Sequence, residues 1–248
     1  MIKTLICVSN YGNKQRDLLH RMLATYDTLA PEYDVDVLLL STENIEGIHE
    51  QYPTLNITEK IFNPDKCGCI GAHHKPYFRD HKDEYDLFMF TENDSDMSKD
   101  QFNLFMEYSE TFKHTKDVLG FIRYEVEPDE PHDWYMMDCG NKGEHLLTAR
   151  FEFNGDDLGV FENCHQGCYM LTKDKLNYAI DNGFMSAKFW MGGAVENASS
   201  SIWAILKRVI PLNRIDDVLI NHMSNYICFR PGMNKCNRTL TELKRDLK

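Results

Sequence analysis

Short apolar runs set off by polar turns, alternating with stretches of helical periodicity, organise the first half of the chain. Thr4–Val8 and Val35–Leu40 are apolar runs of strand length, and Leu55–Phe62 reads as a short third. Between the first two, Lys14–Leu29 places Leu18, Leu19, Met22, Leu23 and Tyr26 on one helical face. Gly71–His81 reads as helical, Leu87–Phe90 as a strand, and Gln101–Phe112 as an amphipathic helix bearing Phe102, Phe105, Met106 and Tyr108. Strands without polar alternation are buried on both faces, as in a parallel sheet covered by helices. The β-α-β-β-α-β order therefore predicts an α/β fold with a mostly parallel sheet.

The second half changes character. Val118–Val126, Asp133–Asp138, His145–Phe153 and Cys168–Leu171 are strand-like pieces joined by polar turns. Helices are expected at Lys173–Asn182 and Val195–Leu206, a strand or loop at Val209–Pro211, and a short helix at Arg214–His222. The tail from Asn234 is polar and basic, with a surface helix expected at Thr239–Leu247. No repeat, low-complexity segment or linker interrupts the chain. One domain is expected, with a ligand-binding half (3–116), a mixed half (117–230) and a tail (231–248).

At 248 residues the chain can bury a substantial core. Its net charge of −12 argues against nucleic-acid binding, which calls for a basic face. No apolar stretch has the length of a membrane span, and the start, MIKTLICVSNYG, turns polar too soon for a signal peptide. The cysteines number eight, and neither Cys67-Gly-Cys69 nor Cys164–Cys168 has the C-x₂-C spacing of a zinc site. Free thiols and a cytoplasmic, reducing location are the expectation.

Candidate chemistry concentrates in YDLFMFTENDSD, residues 85–96, where the apolar run ends in Glu92, Asp94 and Asp96. Carboxylates at the carboxyl end of a buried strand lie where open α/β sheets bind ligands. If the chain stays extended, alternation keeps the three acids on one side, a natural site for a hard divalent cation. The same residues also read as an acidic loop before a helix, with Ser98 or Asp96 as N-cap. After the first strand, Ser9-Asn10-Tyr11-Gly12 offers amides and a ring that could stack on a base, or a simple turn. There is neither a P-loop lysine nor a G-x-G-x-x-G. His74 and Lys75, in AHHKPYFR, supply cations for a diphosphate or else a solvated helix face. Glu162–Gly167 holds His165 and Gln166; Gly192-Gly193 opens a helix with Glu196 near its start; His222 ends IDDVLINH as a distant metal ligand or a cap.

In order, these segments resemble the nucleotide-sugar-dependent glycosyltransferases of the GT-A fold. YDLFMFTEND resembles that family's strand ending in a D-x-D metal motif, and HHKPYF, GFIRYEV, HQGCYMLT and VIPLNRIDDVLINH resemble flanking segments over residues 3–228. The resemblance implies a single-domain, Rossmann-like mixed sheet flanked by helices. It also implies Mn²⁺ or Mg²⁺ on Asp94, Asp96 and His222. A UDP- or GDP-linked sugar donor would meet Ser9, Asn10, Tyr11, His74, Lys75, Glu92 and Asn93. His165 and Gln166 would lie on the side of a glycan or glycoprotein acceptor. An inverting reaction would use Glu196 as base, with Asp157 and Glu162 as rivals, whereas a retaining one would need no base. The chain departs from D-x-D in carrying Glu92-Asn93-Asp94 followed by Asp96. The same acids would serve a metal-dependent nucleotidyltransferase or phosphohydrolase, and a glycan-binding domain with a decayed site would also keep the fold.

Overall fold

Five strands form the largest sheet. β1 (Ile2–Asn10), β2 (Tyr33–Ser41), β3 (Asn56–Ile61) and β4 (Leu87–Glu92) run parallel in the order β3-β2-β1-β4. The computed structural model describes residues 1–30, 32–63, 69–126, 133–139, 146–162, 167–184, 198–224 and 238–248. Leu5–Val8 and Leu87–Phe90 are buried at every position, which is why their sequences lack alternation. Helix α1 (Arg16–Asp27) covers one stretch of the sheet with Leu19, Met22, Leu23 and Tyr26, a spacing of three and four residues. Beyond the short helices α2 (Ile48–Gln51) and α3 (His74–Asp80), helix α4 (Lys99–Thr111) buries Phe102, Leu104, Phe105 and Tyr108. Ser98 and Gln101 close its first turn in a reciprocal capping box.

Among the described residues, the remaining strands form two four-stranded sheets. One has the order β6 (Asp117–Leu119), β12 (Lys207–Pro211), β10 (Asp156–Phe161), β9 (Leu147–Phe153). The other has the order β5 (Ser95–Asp96), β13 (Leu219–His222), β7 (Ile122–Val126), β8 (Trp134–Met136). Strand β11 (Cys168–Thr172) returns to the first sheet, antiparallel to β4, and leads into helix α5 (Lys173–Asp181) through a Thr172 N-cap. One hydrophobic core runs through both halves of the sequence. The result is a single mixed α/β domain with helices on its sheets. No helix among the described residues is long and apolar enough to cross a membrane.

Several elements differ from the sequence-based expectation. The run 118–126 is not one strand: it breaks at Gly120, leaving β6 beside β12 and sending β7 into another sheet. A Cβ at Gly120 would lie 2.2 Å from Cγ of the buried Arg208, so the crossing point has room only for glycine. Arg214–His222 is not a helix but a 3₁₀ segment, Leu212–Val218, followed by β13, because pairing with β7 outweighs local helical preference. The described part of 195–206 is likewise 3₁₀, at Ser200–Ala204. Strand β10 went unread in the sequence; it pairs with β9 across Asn154-Gly155, both at positive φ (52° and 88°), a turn that Asn-Gly favours. The tail helix, α6 (Leu240–Asp246), is docked rather than superficial, with Leu243 and Leu247 buried.

Candidate metal and nucleotide site

The chain order of the large sheet reverses between β1 and β4. The carboxyl ends of two such neighbouring strands splay open into a crevice. Ser9 pairs with Glu92 at that edge. Beyond it, the Asn93 N–H donates to the Ser9 carbonyl (3.1 Å) and its side-chain amide donates to Asn10 Oδ1 (2.7 Å). Asn10 in turn donates to Ser41 Oγ (3.0 Å) and to the Gly12 carbonyl (3.2 Å). These amides form a satisfied polar floor joining the ends of β1, β2 and β4. Tyr11 stands beside it, 53% exposed.

The chain turns at Asn93-Asp94 before entering β5, so the acids do not share a side. Glu92 and Asp94 face a common point, where His222 arrives from β13. One ligand atom from each of Glu92, Asp94 and His222 lies within 4.8 Å of the others. Asp96 points elsewhere: its carboxylate accepts from Arg21 Nε (3.2 Å) and Thr25 Oγ1 (3.1 Å) on α1. It is outside the cluster because the turn breaks the alternation that an extended chain would keep.

His222 sits between two carboxylates, with Nε2 3.1 Å from Asp94 Oδ2 and Nδ1 2.6 Å from Glu125 Oε1. Burial lowers the pKa of the imidazole, but the hydrogen bonds to Asp94 and Glu125 outweigh it and push the group up to about 9. Burial works to raise the Asp94 pKa, and the His222 hydrogen bond and charge reverse this and bring it below its ordinary value. Glu92 goes the other way: burial raises its pKa, and the adjacent Arg123 only partly offsets this. Asp94 Oδ1 is buried and has no hydrogen-bond partner among the described residues. An ionised oxygen buried without a partner is costly, and a cation would satisfy it.

Behind the cluster lies a charged layer that sequence reasoning did not single out. Arg123, 2% exposed, places Nη1 2.9 Å from Glu92 Oε2 and forks onto Asp138 through Nε and Nη2, both at 3.1 Å. Arg208 donates to the Asp138 carbonyl (3.3 Å). Glu125, Asp138 and Arg208 are all buried. The available signal was IRYEV itself, in which two charged residues alternate with apolar ones inside a strand.

The other expected residues fall as follows. His74 is fully buried, stacked on Phe90 with ring centroids 4.3 Å apart, and bonded to the Gly71 carbonyl and the Tyr169 hydroxyl. Burial lowers its pKa to about 3, so it brings no positive charge to a phosphate. Lys75 is buried too, donating to Ser201 Oγ (2.7 Å) with its ammonium 5.3 Å from the Phe184 ring centre. The expected cationic face is therefore part of the packed interior at these two positions, because both side chains turn toward the sheet and the second half of the chain. Asp157 is paired with Arg150 at 2.6 Å on β10, and Glu162 is exposed just after that strand. Glu196, His165 and Gln166 lie outside the described residues.

The sheet order, with its reversal between β1 and β4, defines a mixed α/β fold whose strand ends open a ligand crevice. Solved structures with a similar fold include those of TarS from S. aureus. A TarS 1–349 structure matches 94% of this chain and 67% of its own, with a TM-score of 0.54 at 10% identity. TarS 1–349 in complex with UDP-GlcNAc matches 90% of this chain and 61% of its own, with a TM-score of 0.51 at 11% identity. A further TarS structure matches 84% of this chain, TM-score 0.50 and 12% identity, and the present chain spans only 35% of it. No family model matches the sequence, and no curated protein matches it.

Proposed function

We propose that this protein transfers a sugar from a nucleoside-diphosphate sugar to a hydroxyl of a glycan or glycoprotein, with a divalent metal held by Glu92, Asp94 and His222. The observation that carries the reading is the unpartnered, buried Asp94 Oδ1 within a carboxylate–imidazole cluster at the switch-point crevice. Two carboxylates and an imidazole suit Mn²⁺ better than Mg²⁺, which prefers oxygen alone. When bound, the metal would supply positive charge to the diphosphate as it leaves.

The chain's own residues have separate tasks in this reading. The Asn10–Asn93 floor fixes the edge of the donor pocket, and Tyr11 offers an exposed ring to a nucleobase. UDP-linked sugars are the first donors to test, since a structure of similar fold, TarS, holds UDP-GlcNAc. Glu196 is assigned as the base that takes the proton of the acceptor hydroxyl in an inverting transfer.

The test is a thermal-shift and turnover screen of UDP- and GDP-sugars with and without Mn²⁺. Specific binding raises the melting temperature only when the native state holds the ligand. The expected result is a metal-dependent shift with at least one donor, release of nucleoside diphosphate, and loss of both in Asp94→Asn. Absence of binding and turnover across the panel would refute the proposal. Consumption of a nucleoside triphosphate with release of pyrophosphate would favour a nucleotidyltransferase instead.

A further inference from the structure

Strand β7 places Arg123 and Glu125 two residues apart, hence on one face, and each touches a different member of the cluster. Arg123 meets Glu92 at 2.9 Å, and Glu125 meets His222 at 2.6 Å. Both are nearly or wholly inaccessible to solvent, 2% and 0% exposed, so neither is placed to touch a substrate. Their partners are equally constrained: the Arg123 guanidinium is forked onto Asp138, which is itself buried.

We propose that Glu125 and Arg123 are positioning residues of the metal cluster, Glu125 orienting the His222 ring with Nε2 toward the cluster and Arg123 holding the Glu92 carboxylate. The proposal rests on the reading that Glu92, Asp94 and His222 hold a divalent cation. A ligating imidazole that bonds a carboxylate through its other nitrogen has its tautomer and ring plane fixed, and its basicity raised. Glu125 reaches the Nδ1 edge, leaving Nε2 for the side where Asp94 lies. Arg123 does the corresponding work for Glu92, since its fixed fork leaves Nη1 aimed at one carboxylate oxygen. Gly167 supplies an independent sign that this contact is tightly fitted. A Cβ there would stand 2.2 Å from Arg123 Nη1 and 2.5 Å from Glu92 Oε2.

The experiment measures Mn²⁺ affinity by the loss of the free-ion electron paramagnetic resonance signal, using the full chain and no sugar donor. Unfolding midpoints in the presence of chelator are recorded alongside. Glu125→Gln removes the charge but keeps an acceptor, and it should weaken Mn²⁺ binding about 10–100-fold. It should also reduce the nitrogen hyperfine modulation that the His222 ring imposes on bound Mn²⁺. Arg123→Lys should weaken affinity while keeping that nitrogen signature, because its effect passes through Glu92. A merely structural role would lower the unfolding midpoint and leave affinity and signature of the folded fraction unchanged. If Glu125→Gln fails to fold, Glu125→Asp carries the same expectation; Gly167→Ala does so for Arg123, changing neither ionisable group. Variants that bind Mn²⁺ within twofold of wild type, with the same signature, would overturn the proposal. A wild-type protein that takes up no Mn²⁺ would instead remove the metal-site reading beneath it.

Discussion

Replacing Gly167 with alanine adds one methyl group at the most tightly filled point behind the site. The new Cβ would lie 2.2 Å from Arg123 Nη1, 2.9 Å from Arg123 Cζ and 2.5 Å from Glu92 Oε2. The guanidinium cannot swing away, since Nε and Nη2 are fixed on Asp138 in an interior where Arg123 is 2% exposed. The backbone at Gly167 lies outside the left-handed region, so alanine is acceptable there on conformational grounds. By itself that exchange would stabilise the protein by about 0.4–1 kcal/mol, through the lost freedom of the unfolded chain. Overpacking opposes it with roughly 1–3 kcal/mol. Loosening the Arg123–Glu92 pair adds about 1 kcal/mol, discounted because the Glu92 side chain is 31% exposed. The net expectation is a destabilisation of about 1–4 kcal/mol. Urea unfolding followed by far-ultraviolet circular dichroism, at unchanged m-value, reads this directly. A Gly167→Ala variant as stable as wild type, or more stable, would refute the packing argument.

Asp96→Asn should leave Mn²⁺ affinity within twofold of wild type, because Asp96 is tied to Arg21 and Thr25; metal titration of the variant decides this. Its effect on stability should stay below about 1 kcal/mol, as expected of a surface ion pair. His74, held near a pKa of about 3 by burial, binds a proton in the unfolded chain well before it does so in the native one. The unfolded state therefore gains protons as pH falls below 6.5, and stability is lost progressively toward pH 3. Between pH 6.5 and roughly pH 5, wild type should lose about 2 kcal/mol more than His74→Gln, measured by urea unfolding at each pH. Ser98→Ala removes the capping-box oxygen of α4 and should cost about 1 kcal/mol in the same assay.

The parallel sheet was legible because burial on both faces demands apolar residues at every position, as at 5–8 and 87–90. Helices α1 and α4 were legible because a single buried face imposes its spacing on the sequence. The mixed half was harder. Its strands are short, and their neighbours in the sheets are distant in sequence, so local preference misread β13 as helix and ran β6 and β7 together. The single glycine between β6 and β7 marked the break, but the reason for it, the Arg208 side chain, comes from another strand.

The sequence alone located the acidic end of β4, since an apolar run ending in carboxylates suffices for that, and it offered Asp94, Asp96 and His222 as candidate ligands. It could not sort Asp94 from Asp96. That choice depends on the turn at Asn93-Asp94, which sends one carboxylate toward His222 and the other toward Arg21. Nor could it show that His74 and Lys75 face inward, or that Arg123 and Glu125 stand behind Glu92 and His222. The first follows from α3 packing against β4 and β11, and the second from the pairing of β5, β13 and β7, where segments far apart in the chain meet. A charge declares its sign in the sequence, whereas its partner, its burial and its task follow from which strands pair.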